Sequence, residues 1–375
     1  MQYRFALGAA LVLPLSLALA ACHGDAPTPP RQIAPSAVSA IRVPSDADLV
    51  SWLQRYVTTR RHRARRNSGG PPVLAGAGDI ARCYPGSDVT QLRTPNGSNP
   101  AMQTARLLEA MPNATVMAIG DNAYEFGSPV DYARCYDPTW GRFRDRTRPA
   151  PGNHEYLTPG AAGYFGYFGA RAAPPLGYYS YDAGAWHVVV INSTTQVYAC
   201  WPPEATEIPP GFPSLPPPLT PGPAAGRACA GDVAQQAWLA ADLASHRAAK
   251  CTVAYFHHPR FSSGMHGNHY QMQKIWDIMY AEGVDVVVSG HDHMYERFAP
   301  QDPDARADPS SGIRQFTVGT GGAEFYSVSV RQPNSEVVIN DKHGVLALAL
   351  GDGAYAWTFE TVDRSIADAG SGHCH

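Results

Sequence analysis

Two rhythms of apolar residues alternate along this chain of 375 residues. Short continuous apolar runs at 73–80, 115–120, 185–192, 252–256 and 284–288 predict strands buried on both faces. Between them, apolar positions recur at helical spacing over 102–111, 232–247 and 270–282. In 232–247, Asp232 stands where a helix cap is needed, and Trp238, Leu239 and Leu243 form the apolar side. A strand, helix, strand order occurs twice, which predicts parallel sheet. Beyond Tyr295 the helical spacing stops, and strands are predicted at 315–318, 337–339, 345–350 and 355–360. The run Gly319-Thr320-Gly321-Gly322 reads as a tight turn after a strand. One more helix, 46–66, is predicted ahead of the first strand, with Leu49, Trp52, Leu53 and Tyr56 as its face. The chain therefore reads as α/β, with a second and more antiparallel sheet.

Other stretches break both rhythms. Residues 202–223 are too rich in proline for a central strand or helix, because proline lacks the donor that both require; they read as a surface loop and a candidate wall of a cleft. Residues 300–311 read as a second polar loop, expected to be mobile. Residues 1–21 carry Arg4 and then an apolar run interrupted by Pro14, the pattern of a secretory signal. It ends Leu19-Ala20-Ala21-Cys22, similar to a bacterial lipobox, which predicts a lipid anchor on Cys22; ordinary cleavage after Ala18-Leu19-Ala20 is the alternative. The expected location is thus outside the cytoplasm, anchored to the cell envelope or secreted. Residues 22–70, rich in Pro, Ala and Arg, read as a linker.

Export changes how the other six cysteines are read. In an oxidising compartment they form disulfides more readily than metal sites, and no CxxC spacing is present. The expected pairs are Cys200 with Cys229, Cys83 with Cys135, and Cys251 with Cys374. A formal net charge of −3 offers no strong attraction to nucleic acid, so none is expected as a partner. The basic cluster from Arg60 to Arg66 reads as a solvated linker end.

Candidate chemistry lies in five short blocks: Asp79 in GDI, Asp121 and Tyr124 in GDNAY, Asn153 and His154 in GNHE, His257 in HHP, and His291 and His293 in GHDH. Each follows a run read as a buried strand, so all can end at one sheet edge, where open α/β sheets place ligand sites. Seven donors (Asp79, Asp121, Tyr124, Asn153, His257, His291 and His293) exceed what one catalytic ion needs. They suit two ions sharing a carboxylate, the arrangement that serves in-line phosphoryl displacement.

In order and content the blocks resemble the metallophosphoesterase superfamily and, within it, the purple acid phosphatases. Most of the superfamily has a ligand histidine two residues after the first aspartate, where this chain has Ala81; Tyr124, three residues after Asp121, matches the ligand tyrosine of the purple enzymes. The resemblance implies a four-layer αββα sandwich of two mixed sheets over residues 71–375, without the amino-terminal β-sandwich of the plant enzymes. It implies an Fe(III) site from Asp79, Asp121, Tyr124 and His293, and a second site for Zn, Fe or Mn(II) from Asp121, Asn153, His257 and His291. It further implies phosphate-ester hydrolysis by a metal-bound hydroxide, with His154 and His266 contacting substrate. A phosphate-monoester substrate is the leading expectation. A phosphodiesterase or nucleotide pyrophosphatase, or a non-catalytic surface lipoprotein, are the alternatives.

Overall fold

A computed structural model describes residues 46–58, 70–82, 99–199 and 230–375. The expected signal, the Cys22 anchor, the linker around Arg60 to Arg66, the proline-rich loop and the pairings of Cys83 and of Cys200 with Cys229 fall outside the described residues. The described chain belongs to one compact unit, Val43–His375.

The first sheet contains β1 (Val73–Ala77), β3 (Thr115–Ile119), β5 (Thr147–Ala150), β13 (Gly344–Leu350), β14 (Ala354–Thr361) and β15 (Ile366–His373), in the order β15-β14-β13-β1-β3-β5. Its β1, β3 and β5 run parallel, whereas β13 to β15 form an antiparallel meander joined to β1. The second sheet contains β6 (Tyr179–Ala183), β7 (Trp186–Val190), β8 (Cys251–Tyr255), β9 (Val286–Ser289), β10 (Tyr295–Phe298), β11 (Arg314–Val318) and β12 (Ser335–Ile339), in the order β12-β10-β11-β9-β8-β7-β6. Here β7, β8, β9 and β11 are parallel, with antiparallel strands at both edges. A two-stranded parallel pair, β2 (Ala81–Arg82) with β4 (Ala123–Tyr124), extends from the ends of β1 and β3.

Alternation along each strand builds the layers. Val188, Val190, Val253, Tyr255, Val286 and Val288 share one core with Leu74, Val116, Leu346 and Leu348 of the other sheet. Their neighbours Val189, Ala254 and Val287 face the opposite way, onto α6 (Val233–Ser245) and α7 (Gln273–Ala281). Aromatic pairs close the gap between sheets: Tyr295 stacks on Phe359 at 4.1 Å between centroids, and Phe316 meets Trp357 edge-on at 5.5 Å. On the outer face of the first sheet, α1 (Asp46–Thr58) packs Leu49, Leu53 and Val57 against β14, and α2 (Pro100–Glu109) packs against β13. The result is the expected four-layer mixed sandwich.

Local chemistry sets several element ends. Asp232 caps α6, accepting from the Gln235 amide at 3.0 Å, and Asn99 caps α2 through the Met102 amide at 2.9 Å. Cys251 and Cys374 form a disulfide that fixes the carboxyl-terminal segment to the start of β8. Cys135 is disulfide-bonded too. The 300–311 loop, expected to be mobile, is internally bonded: the Asp302 amide donates to Arg306, the Asp308 amide to Pro300, and Gln301 bridges to Ala307 and Ile313. Its polarity reflects turns closed by Asp302 and Asp308 side chains.

Candidate metal centre

Five segments converge at the carboxyl ends of the parallel strands. Asp79 follows β1, Asp121 follows β3, Asn153 follows β5, His257 follows β8, and His291 and His293 follow β9. Three of these residues adopt the left-handed backbone: Asp79 at φ 59°, Asp121 at 48° and His291 at 71°. That conformation is strained for non-glycine residues and persists where the surroundings dictate it. Here the strand pairing continues into the turns: the Asp79 amide donates to Gly120 and the Ile80 amide to Asp121. The side chains are thereby turned off the sheet toward a common point.

The glycines that precede the ligands have a steric reason. A Cβ on Gly152 would lie 2.2 Å from Asp121 Oδ1, and one on Gly120, itself at φ 78°, would lie 2.6 Å from the His257 ring.

Asp79 Oδ1, Tyr124 Oη and His293 Nε2 form a tight triangle. The phenol donates to Asp79 at 2.8 Å and stands 3.1 Å from His293 Nε2, which is 3.2 Å from Asp79 Oδ1. Neighbouring ligands on one octahedral ion with bonds near 2.1 Å are separated by about 3 Å. On the other side, His291 Nδ1 lies 3.3 Å from His257 Nε2, and Asp121, His257 and His291 present donors close enough for one ion. Asp121 Oδ2 stands between the two sets, 3.2 Å from Tyr124 Oη and 3.2 Å from His257 Nε2. The remaining expected donor, Asn153 Oδ1, is buried without a hydrogen-bond partner. A buried carbonyl left unpaired is costly, and a cation would satisfy it. The donor set therefore fits two ions with Asp121 shared.

Neighbouring groups orient the donors. His257 Nδ1 is 3.0 Å from the Ile119 carbonyl and His293 Nδ1 2.5 Å from that of Glu324, so both rings direct Nε2 inward. The Asp79 carboxylate accepts from the His291 amide at 2.9 Å, and Asp121 Oδ1 accepts from the His154 amide at 2.9 Å. Without cations, the carboxylates raise the proton affinity of His257 and His293 against the cost of burial. Burial opposes charge on His257, but the carboxylates of Asp121 and Asp79 lift its pKa to about 9. Burial likewise opposes charge on Asp121, yet His257 and His154 hold it well below the usual carboxylate range. Burial and the same two carboxylates push the Tyr124 phenol well above its ordinary range. Burial and neighbouring imidazoles push the His291 pKa well below its ordinary value, which favours the neutral ring with a lone pair on one nitrogen.

His154 and His266 lie at the edges of this cluster. The His154 ring is 4.5 Å from that of Tyr124, with Nε2 3.8 Å from Asp121 Oδ2. The His266 ring is 4.2 Å from His291. Ala81, where a ligand histidine was the superfamily expectation, is buried in β2 beside Ala123.

Several supporting residues were missed from sequence. Glu155, fully buried, accepts from the amides of Gly152 at 2.7 Å, Asn122 at 2.8 Å and Asp121 at 2.9 Å, and from the Tyr132 hydroxyl at 3.1 Å. It joins two ligand loops. Asp292 accepts from the His266 amide at 3.1 Å and orients the ring through Nδ1 at 3.0 Å. Both carboxylates lie inside quoted blocks, GNHE and GHDH, so their adjacency to ligands was the available signal. Tyr326, stacked on His293 at 3.8 Å, had no local signal, whereas His269, which shares the Gly-rich loop of His266 and reads from sequence as a solvated surface histidine, has a buried and unpartnered Nε2.

A two-sheet sandwich with a carboxylate and imidazole cluster at its parallel strand ends defines a metallophosphoesterase architecture. Residues 87–295, more than half of the chain, match the calcineurin-like phosphoesterase family, and the chain belongs to it. Over 93 residues it is 32% identical to purple acid phosphatase 18 of Arabidopsis thaliana, a match covering 24% of this chain and 21% of that protein. The chain thus matches about a fifth of that relative's length. Among solved structures it resembles the purple acid phosphatase PPD1 of yellow lupin (Lupinus luteus) seeds, with TM-score 0.53 and 17% identity over 80% of this chain and 53% of that one. It also resembles GAP50, the anchor in the inner membrane complex of Plasmodium (TM-score 0.55, 12% identity, 82% and 90% covered). A dimetal phosphatase from Danio rerio aligns with TM-score 0.50 and 12% identity, over 82% and 100%. At these identities the structural likeness shows the fold.

Proposed function

We propose that this protein hydrolyses phosphate esters, monoesters in preference, at a dinuclear centre held by Asp79, Asp121, Tyr124, Asn153, His257, His291 and His293. The observation that carries the reading is Asp121 Oδ2, equidistant from a donor of each set. Two ions there would activate water near neutral pH and neutralise charge developing on the phosphoryl oxygens. The phenolate of Tyr124 favours a trivalent iron beside Asp79 and His293, leaving Zn, Fe or Mn(II) for the set with Asn153, His257 and His291.

The remaining work falls to the chain itself. His154, held through Nδ1 by the Glu125 carbonyl at 2.6 Å, keeps Nε2 toward the cluster to contact a phosphoryl oxygen. His266, held by Asp292, would give a proton to the departing alkoxide. The Cys251–Cys374 disulfide accords with an oxidising compartment, and the proposal of export with Cys22 as the lipid attachment point rests on the sequence of residues 1–22.

The test compares phenyl phosphate with diphenyl phosphate on metal-loaded full-length protein. A monoester preference is expected. A preference of tenfold or more for the diester would favour the phosphodiesterase alternative. Absence of hydrolysis of either would favour a non-catalytic binding role.

A further inference from the structure

Eight large apolar side chains stand exposed among the described residues, and five of them, Phe126, Met265, Tyr270, Val328 and Val330, lie on three segments that also carry groups of the candidate centre. Met265 precedes His266, Tyr270 follows His269, and Phe126 lies two residues beyond Tyr124. Val328 and Val330 flank Ser329, whose amide donates to the Ser263 carbonyl at 2.8 Å, so their loop adjoins the one bearing Met265. The same loop supplies Tyr326, stacked on His293 and edge-on to His266 at 5.3 Å. Apolar surface concentrated beside a polar centre marks a binding surface.

The charges around it select the occupant. Arg82 is paired with both Glu125, at 2.5 Å, and Glu324, and those carboxylates are about half exposed. Its charge is thereby offset, and a second phosphate at this rim would face the two carboxylates. A phosphoryl group held at the centre must extend its alcohol portion outward, and the joined loops beside it, which carry His266 and Tyr326, expose Met265, Val328 and Val330.

Building on the phosphoesterase reading, we propose that the preferred substrates are phosphate monoesters of uncharged, apolar alcohols, with the alkyl or aryl group resting on Met265, Val328, Val330 and Phe126. Water supplies the oxygen that bonds to phosphorus. The ester P–O bond breaks with its electron pair on the alkoxide, and a proton completes the alcohol as inorganic phosphate is released.

The test is a series of n-alkyl phosphates from ethyl to octyl, below their micellar concentrations, on metal-loaded full-length protein. Leaving-group basicity is nearly constant along the series, so chemistry is held fixed while apolar area grows. We expect kcat/KM to rise about twofold per methylene, the gain of a chain half withdrawn from water. The octyl-to-ethyl ratio should fall several-fold in Met265→Ser and in Val330→Ser, each ratio serving as its own control for folding. A flat or falling series in an active enzyme overturns the apolar-substrate proposal alone. No hydrolysis of any member or of phenyl phosphate overturns the phosphoesterase reading with it.

Discussion

Two clusters of histidine and carboxylate occur in this fold, and their polar atoms face different things. At the strand ends, Asp121, His257 and His291 point donors at one another, and Asn153 Oδ1 is buried without a partner. Beside the edge strand β6, Asp182, His187, Asp242 and His246 use similar side chains, but their hydrogen bonds close within the cluster. His187 Nδ1 meets Asp182 at 3.1 Å and Nε2 meets Asp242 at 2.8 Å, while Ser180 donates to Asp242 at 2.8 Å. The rings of His187 and His246 stack at 3.8 Å with planes 12° apart, so their in-plane lone pairs do not converge on one point. A cation is called for by donors that the protein leaves unsatisfied, and residue type alone does not distinguish the two clusters. The first cluster reads as a reaction centre and the second as a clasp between β6, β7 and α6.

Asp121→Asn should give the largest separation between them. Removing the shared negative charge is expected to lower kcat on phenyl phosphate on the order of a thousandfold, the upper scale for loss of one electrostatic contact to a transition state. Asp242→Asn should leave activity per folded molecule within about twofold, because no group of the centre contacts it. Next in size is Glu155→Gln, which weakens the bonds that align Asp121 with the Asn153 loop. Titration with Zn(II) should show affinity reduced by about 10- to 100-fold, the usual cost of losing an orienting partner.

His187→Ala should act on stability alone, costing about 2 kcal/mol in urea unfolding, because the mostly buried Asp242 keeps Ser180 and His246 beside it but loses its imidazole partner at 2.8 Å. Burial disfavours the His187 charge, but Asp242 and Asp182 reverse that and raise its pKa. Its contribution is therefore complete below the unfolded histidine value near 6.5 and lost as pH rises through the raised folded value. The stability gap between wild type and His187→Ala should narrow accordingly at alkaline pH. A comparable effect on stability concerns the centre stripped of metal. With His257 at about 9 in the folded state, metal-free protein should lose stability between about pH 6.5 and 9, and loading with metal should remove that dependence. A pH-independent melting temperature over that range in the stripped protein would count against the proton-for-cation exchange.

Much of this was legible in the sequence where one signal sufficed. Continuous apolar runs located β1, β3, β7, β8 and β9 to within two or three residues, because burial on both faces leaves no polar position to blur the run. Strands lacking that signature were missed. β15 reads IADAGSGH, mostly small and polar residues at a sheet edge, and β5 contains Pro149, which an edge strand tolerates. In the candidate site, the donors were visible because each sits in a short block, and four of the five blocks follow or end strands that the apolar runs located; the GNHE block follows the missed β5. The groups that hold them were less so: three of the four Glu155 contacts span 23 to 34 residues, and the stacking of Tyr326 on His293 depends on how a distant loop returns. The second cluster shows the opposite limit, since its histidines and carboxylates carry no sequence mark that separates a clasp from a metal site.

The most direct test of the dinuclear centre is metal content with a visible spectrum on full-length protein, wild type and Tyr124→Phe. About two ions per chain and a tyrosinate-to-iron band that Tyr124→Phe abolishes are predicted. An active wild-type protein holding one ion or none would contradict the shared-carboxylate centre, and two ions without the band would contradict iron at Tyr124.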